Sequence, residues 1–473
     1  MDAWWAVSHG VAGLMTAAAG GLWLWKWRSI GRHFFFLFFF SLTVAYLDVF
    51  PVLSLHEYAE TALVGLRVGP PAEIVQDYAI VQFYCLCFFQ LPLVLGYFGL
   101  GLRPRGRRIV SNPGGSRAIA IASIVFSLLF LWVLLSEGLL MARVSVDLTP
   151  VLIEMPFFKF FVYRLFQESG VFLIGVLFFL AHFSAGPARQ LVWAAWVTTV
   201  GAYGIWAVFN SRWSLLLLVV CSLGFWLAAR GDKMPSPRVF ARMASCVVLG
   251  AYLATIVVNV RRIGFEDRLS WRYFVPQGLG AFGDEQSYMR LNGIDLMARL
   301  LPGIEREGPA LGAAWGSVGW YLRRFTDPKG FDEFRLSRKT TAKTYLMARY
   351  LGWDLTDYFS CTLTDLFGNF HVFGLLGGAV LLVMLLRFSA SRFMAPRDGA
   401  ALVLAVFVIV HAIVFDQEAV GLLFGWTKQL PILFAVLALR PFRVAAGRTR
   451  GRGAMASRTV VFVAPSGQPG GLG

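Results

Sequence analysis

Charge is scarce in this chain of 473 residues: Asp, Glu, Lys and Arg make up 15% of it, against 57% in the hydrophobic set, and the mean hydropathy is +0.64. So few charges exclude an ordinary soluble globule, which carries roughly a quarter of its residues charged. Cysteine is sparse as well. The five present, Cys85, Cys87, Cys221, Cys246 and Cys361, stand in or beside apolar runs and form no C-x-x-C pair, which excludes a disulfide framework and a zinc ribbon. Histidine occurs at only six positions, and none lies between 261 and 360. The chain has no P-loop, no Gly-rich dinucleotide fingerprint, no H-E-x-x-H and no nucleophile elbow. The first external loop offers only the separated acids Glu57, Glu60 and Glu73 and no Asp-x-Asp or Asp-Glu pair, so neither a metal nor a cofactor is expected.

Apolar sequence is what the chain has in abundance. Crossing about 30 Å of hydrocarbon takes roughly 20 largely apolar residues. A window of that length picks out about eleven stretches: 3–25, 33–55, 78–101, 118–140, 165–183, 191–209, 213–229, 243–260, 361–386, 399–415 and 420–439. The expected fold class is therefore an all-α polytopic integral membrane protein. The first stretch reads as a helix and not as a cleaved signal, because it lacks a basic start and a small-residue cleavage site.

Lys and Arg fall unevenly between alternate connections. One set, at 26–32, 103–117, 189, 230–242, 387–397 and from 440 onward, holds 22 of the 43 basic residues. The other set holds six, leaving aside 261–360 with its 15. The rule that basic connections stay inside puts the N-terminus out and the C-terminus in. The crowded side has just two acids, Asp232 and Asp398, so the formal charge of +16 reflects sidedness and not affinity for nucleic acid. The expected layout is 1–260 as the first eight helices, 261–360 as one large outer loop, 361–439 as three more helices, and 440–473 as a basic, disordered inner tail that touches anionic lipid.

The loop at 261–360 is the one stretch long enough to form an outward-facing domain. Within it, 286–301 places Leu291, Ile294, Leu296, Met297, Leu300 and Leu301 near a helical period, with Arg290 and Arg299 among them. An amphipathic helix lying at the membrane surface is expected there. Trp315, Trp320, Tyr321 and Phe325 follow as an interface-seeking aromatic stretch.

Arginines cluster on the expected outer face, at Arg212, Arg261, Arg262, Arg268, Arg272, Arg290, Arg323 and Arg324. Guanidinium binds phosphate oxygens in bidentate fashion and keeps its charge, so the group suits a phosphate-bearing ligand. Taken singly, each is better explained by lipid headgroups or pairing with a nearby acid such as Glu266, Asp267, Asp284 or Glu285, and it is the group that points to phosphate. Arg212 is the most constrained, standing in the short connection Asn210-Ser211-Arg212 between two apolar stretches. Asp48 and Asp365 lie inside apolar stretches, where an acid is expensive and serves either function or a helix-to-helix hydrogen bond. His371 stands six residues after Asp365, and His411 lies near Asp416 and Glu418.

Three segments carry a family resemblance. Asn210-Ser211-Arg212 opening an apolar helix is similar to an element of the bacterial O-antigen polymerases. The stretch 363–378, LTDLFGNFHVFGLLGG, resembles the acid, aromatic, Asn-Phe and Gly pattern in the helix that follows their large periplasmic loop. The stretch 299–329 resembles the part of that loop with a Pro, a Gly-aromatic turn, basic residues and Pro-Lys, although Arg323-Arg324 here lacks the preceding proline. The resemblance to this polymerase and ligase superfamily implies a glycosyltransferase of the bacterial inner membrane. Such an enzyme joins oligosaccharide repeat units carried on undecaprenyl diphosphate into O-antigen, capsule or exopolysaccharide. It further implies that Arg212, Arg261, Arg262, Arg290, Arg323 and Arg324 hold diphosphates and that Asp365 or His371 is the base. Its partners would be the lipid-linked oligosaccharide, membrane lipids, a chain-length regulator and a flippase, with no nucleic acid. An O-antigen ligase shares the layout but has a histidine in the large loop, which 261–360 lacks. A flippase for the same lipid-linked sugar would be built from related repeats, and no repeat is visible.

Overall fold

The apolar stretches form helices because a backbone removed from water must satisfy its own hydrogen bonds, and a helix does so within one segment. The computed structural model describes residues 2–60, 71–99, 109–139, 155–210, 212–230, 292–315, 342–352, 361–394, 398–412 and 419–444, with 245, 252 and 256 singly. The helices are α1 (Asp2–Lys26), α2 (Ile30–Val44), α3 (Phe50–Glu60), α4 (Pro71–Cys85), α5 (Leu91–Gly99), α6 (Pro113–Ser136), α7 (Phe157–Phe183), α8 (Gly186–Asn210), α9 (Arg212–Arg230), α10 (Asp295–Glu307), α11 (Ala342–Leu351), α12 (Thr362–Met394), α13 (Gly399–Ala412) and α14 (Ala419–Ala438). Five helical segments are long and apolar enough to cross a membrane: Ala3–Leu55, Val75–Gly99, Pro113–Ser136, Phe157–Phe183 and Thr362–Phe393. The first of these runs through α1, a tight turn at Trp27–Ser29 and α2. The stretch expected at 243–260 lies almost wholly outside the described residues.

Aromatic side chains fill the bundle. Phe36 stacks on Tyr97 at 3.9 Å, Phe130 on Phe166 at 4.2 Å, and Phe35, Phe179, Phe225 and Phe393 meet where α2, α7, α9 and α12 converge. By contrast, Leu95, Ile121, Leu128, Leu135 and Phe373 are largely exposed. Large apolar groups facing outward in this number suit a lipid environment.

One end of the bundle is tied by a two-stranded antiparallel ribbon, β1 (Ile109–Ser111) against β2 (Phe442–Val444), with Val110 opposite Arg443. Asn112 reinforces it: its backbone N–H donates to Pro441 O at 2.7 Å and its side chain to Arg440 O at 3.0 Å. Gly115 admits this approach, since a Cβ there would stand 2.1 Å from Leu439 O. The boundary expected at 440 is therefore misplaced, because Phe442–Val444 is part of the fold and buries Phe442 between Gly399 and Phe183. Residues beyond 444 lie outside the described residues.

The amphipathic helix expected at 286–301 also differs. It is α10, Asp295–Glu307, and it starts where the Asn292 side chain accepts the N–H groups of Ile294 and Asp295, both at 3.1 Å. Residues 286–291 lie outside the described residues. Its apolar face, with Leu296, Met297, Leu300, Leu301 and Ile304, is buried by protein, against α4, α11 and α12, and does not lie on lipid.

Candidate functional site

The apolar stretch 361–386 is not one straight helix. At His371 the backbone takes φ 53° and ψ −137°, which a side chain with a Cβ rarely adopts, and the chain turns sharply. Leu366 comes to lie against Gly374 and Gly378. A Cβ on Gly374 would be 2.0 Å from Leu366 O, and one on Gly378 would be 2.7 Å from the Leu366 side chain. In a straight helix these residues would sit about 12 and 18 Å apart. The two glycines, four residues apart, give the second half of α12 a smooth face on which the first half packs, as small residues do between membrane helices.

The turn interrupts the helical ladder just before and after His371. The carbonyls of Gly368 and Asn369 would ordinarily accept from Val372 and Phe373. They accept instead from the segment that follows α10: Ala310 N–H donates to Gly368 O at 3.0 Å and Leu311 N–H to Asn369 O at 2.8 Å. Asn369 adds its side chain, accepting from Ala314 N–H at 3.3 Å and donating to Asp365 O at 2.8 Å. Trp315 lies against Phe370 with ring centroids 5.3 Å apart. Irregular backbone within a membrane protein is tolerated where protein covers it, and here the loop segment supplies the cover. Gly308 (φ 76°) ends α10 and Gly312 (φ 86°) shapes the turn that follows.

A polar network fixes α10 in place. Tyr78 on α4 donates to Asp295, Arg299 pairs with the same carboxylate at 3.1 Å, and Asn292 donates to the Tyr78 hydroxyl at 3.1 Å. Beyond the helix, Tyr350 on α11 donates to Gly308 O at 2.7 Å. Burial raises the Tyr350 phenol above its usual range, so it stays a donor at neutral pH.

Two π-helical turns stand next to this segment, Ala45–Val49 between α2 and α3 and Leu86–Gln90 between α4 and α5. A π turn inserts an extra residue and releases carbonyls from the regular ladder, a feature frequent at functional sites. The released groups are taken up by neighbours. Tyr46 O accepts from Gly293 N–H at 3.0 Å, while Gln82, itself held by the Ser8 hydroxyl, donates to Asp48 O at 3.3 Å. The Gln90 side chain donates to Asp48 Oδ2 at 2.6 Å. Asp48 and Gln90 are fully buried, and Asp48 Oδ1 and Gln90 Oε1 have no hydrogen-bond partner among the described residues.

Of the residues singled out by sequence, Asp365 and His371 fall on the two sides of one short half-helix. Asp365 is fully buried, and His371 is half-buried between Phe367 and Tyr84, with centroids 5.0 and 5.4 Å away. His371 Nε2 has no partner among the described residues. Arg212 opens α9, which packs against α2, α7, α8 and α12, but its side chain is outside the described residues. Arg261, Arg262, Arg290, Arg323 and Arg324 are also outside them, and the arrangement of the arginines around Asp365 is therefore not part of the geometry. Sequence reasoning met Asn369 only as part of the 363–378 pattern, without a role, and missed Asn292, Tyr78 and Gln90. An Asn after Gly368 in an apolar helix, and a Gln in the run Cys85–Leu91, were the available signals. Among the described residues no group of three His, Cys, Asp or Glu side chains could hold a metal ion. No protein-family model, curated protein or solved structure matches the chain.

Proposed function

We propose that the protein is a membrane glycosyltransferase that polymerises oligosaccharide repeat units carried on undecaprenyl diphosphate. It would work at the periplasmic face of the bacterial inner membrane, through about eleven spans with the N-terminus out and the C-terminus in. The observation that carries this reading is the docking of 292–315 onto the broken helix α12 beside Asp365 and His371. A loop segment of an expected outward domain is thereby fastened to Gly368, Asn369 and Phe370, between Asp365 and the break at His371. The β1–β2 ribbon supports the sidedness, since it joins two connections that belong to the same Lys- and Arg-rich set.

In this reading an acceptor sugar hydroxyl attacks the anomeric carbon of the donor. The bond between that carbon and the diphosphate oxygen breaks, and the diphosphate leaves on its lipid. The hydroxyl proton passes to a base, and His371 suits that role through its unpartnered Nε2. Arg212, Arg261, Arg262, Arg290, Arg323 and Arg324 would hold the diphosphates and stabilise the charge that grows on the leaving oxygen.

The test is the surface glycan of cells lacking the protein. Glycan reduced to a single capped repeat upholds polymerisation. Full-length chains retained on undecaprenyl diphosphate would make the protein a ligase, and repeats held at the inner leaflet would make it a flippase. Arg212→Ala should abolish polymer while the protein remains in the membrane, and normal polymer from that variant would remove Arg212 from the site.

A further inference from the structure

The turn that joins α1 to α2 is a cationic corner, and the helices around it supply no counter-charge. Trp27–Ser29 closes the hairpin, with Lys26 before it, Arg28 within it and Arg32 in the first turn of α2. The elements that meet there are α1, α2, α5 and the second half of α12: Trp25 lies against Phe98 with ring centroids 5.2 Å apart, Phe35 against Phe393 at 5.8 Å, and Arg387 donates to Gly96 O at 3.3 Å. Apart from Asp2 at the far end of α1, no acid occurs in these elements or anywhere in 3–47, 91–136 and 366–397. Neither Lys26 nor Arg28 forms an ion pair among the described residues.

The corner is shaped as well as charged. Lys26 is half-buried, and its Nζ stands 3.2 Å from the ring centroid of Trp25 and 4.9 Å from that of Phe98, so two rings on different helices hold the ammonium in place. Arg32 is half-buried beside it: the charges of Lys26 and Arg32 both bear on His33, and Tyr97 donates to Arg32 O at 3.5 Å, which ties the start of α2 to the end of α5. Arg28 is exposed. Next to the cations the surface is apolar and open, with Trp25 62% exposed and Leu95, one turn before Phe98 on α5, 67% exposed. A charge drawn partly out of water is costly unless an opposite charge meets it.

We propose that this corner binds the headgroup of an anionic phospholipid. Its phosphodiester accepts from the Lys26 ammonium and from the Arg28 guanidinium, which offers paired N–H groups to the phosphate oxygens. An acyl chain lies along Trp25 and Leu95. That apolar wall favours a lipid over a free phosphate ion, and so does depth, because Lys26 ends an apolar helix at the level where headgroups stand. An acidic protein segment or a nucleic acid would meet the charge and find no use for the wall. The site is separate from Asp365 and His371, since Arg387 lies about 20 Å along α12 from Gly374, and it does not depend on the glycosyltransferase reading.

Native mass spectrometry tests this on the purified full-length protein, stripped of endogenous lipid and titrated with phosphatidylglycerol or phosphatidylcholine of the same acyl chains. The first phosphatidylglycerol should bind at least about tenfold more tightly than the first phosphatidylcholine, since each basic residue at headgroup depth is worth on the order of fivefold. Lys26→Gln with Arg28→Gln should bring that preference to within about threefold, whereas Lys26→Arg with Arg28→Lys, which keeps both charges, should retain it. Arg443→Gln, which removes one charge from the ribbon at the same end of the bundle, should retain it as well. A wild type without preference, a preference that survives the double Gln substitution, or an equal loss in Arg443→Gln overturns the site. Displacement of the lipid by millimolar inorganic phosphate also overturns it, by making the corner a site for a free anion. Should the double Gln variant fail to accumulate, Trp25→Ala keeps every charge and removes the exposed wall. It should weaken the first phosphatidylglycerol by about threefold or more, and unchanged affinity overturns the proposal.

Discussion

Gln90 donates its side-chain amide to Asp48 at 2.6 Å, and each residue sits within a π-helical turn. The extra residue in each turn rotates the following side chains relative to a regular helix, which brings the two polar groups face to face inside an otherwise aromatic bundle. Removing one partner leaves the other buried and unmatched, whereas removing both leaves two apolar groups in contact. Gln90→Leu should therefore destabilise the protein by about 1–3 kcal/mol, and the double variant Asp48→Leu, Gln90→Leu should recover part of that loss. Thermal unfolding in detergent measures both. Additive losses in the double variant would show that the pair does not interact energetically.

How far the sequence discloses this arrangement depends on the kind of interaction. The apolar stretches become helices because periodicity and length are local properties, and Asp365 and His371 are noticeable because a polar residue is conspicuous in an apolar run. The turn at His371 is not local: it needs Gly374 and Gly378 to accept Leu366, and the N–H groups of Ala310 and Leu311 to cover the freed carbonyls, from a segment more than fifty residues earlier. The π turns share this property, since the released carbonyl at Tyr46 is matched by Gly293. For α10, Pro302 marks the end of a helix by the usual rule, and the helix nevertheless continues to Glu307 because its apolar face is held by α4, α11 and α12. The strand at Phe442–Val444 was hidden by the Arg- and Gly-rich composition of the stretch around it.

Gly374 and Gly377 form a matched pair for testing the sharp turn. A Cβ on Gly374 would collide with the Leu366 carbonyl, which is backbone and cannot swing aside, whereas a Cβ on Gly377 meets nothing within 4 Å. Gly374→Ala should cost more than about 2 kcal/mol or prevent accumulation of folded protein, in line with other large core clashes. Gly377→Ala should be neutral or slightly stabilising, since alanine is the better helix former by up to about 1 kcal/mol. Membrane-fraction yield and thermal unfolding of both variants check this; equal behaviour would mean that α12 does not double back at His371.

His371 combines a strained backbone with an unpartnered ring nitrogen, and substitution can separate the two. Glycine takes φ 53° without the steric cost that histidine bears, on the order of 1–3 kcal/mol, while removing the imidazole from Phe367 and Tyr84. The gain and the loss are comparable, so His371→Gly should stay folded in the membrane with its unfolding temperature within a few degrees of wild type. Polymer should nevertheless be lost if the imidazole takes the acceptor proton. Surface glycan of normal length from a stably inserted His371→Gly protein would transfer the role of base to another group, with Asp365 the next to examine.

The ribbon allows sidedness and fold to be tested together. Val110 and Arg443 are directly opposed in β1 and β2, and opposed residues of an antiparallel pair bring their Cβ atoms to about 4.5–5.5 Å, within a small adjustment of disulfide geometry. Val110→Cys with Arg443→Cys, in a background lacking the five native cysteines, should cross-link on mild oxidation, whereas either substitution alone should not. Before oxidation, both thiols should react with a membrane-impermeant maleimide only when the cytoplasmic face is open to it, as in inverted vesicles. Cross-linking with labelling from the periplasmic side would keep the ribbon and reverse the orientation, and with it the assignment of the docked segment 292–315 to the outer face. Labelling from the inside without cross-linking would keep the orientation and dismiss the pairing of 109–111 with 442–444. Because the two outcomes are independent, one doubly substituted protein decides both where the Lys- and Arg-rich connections face and whether the last strand closes the bundle.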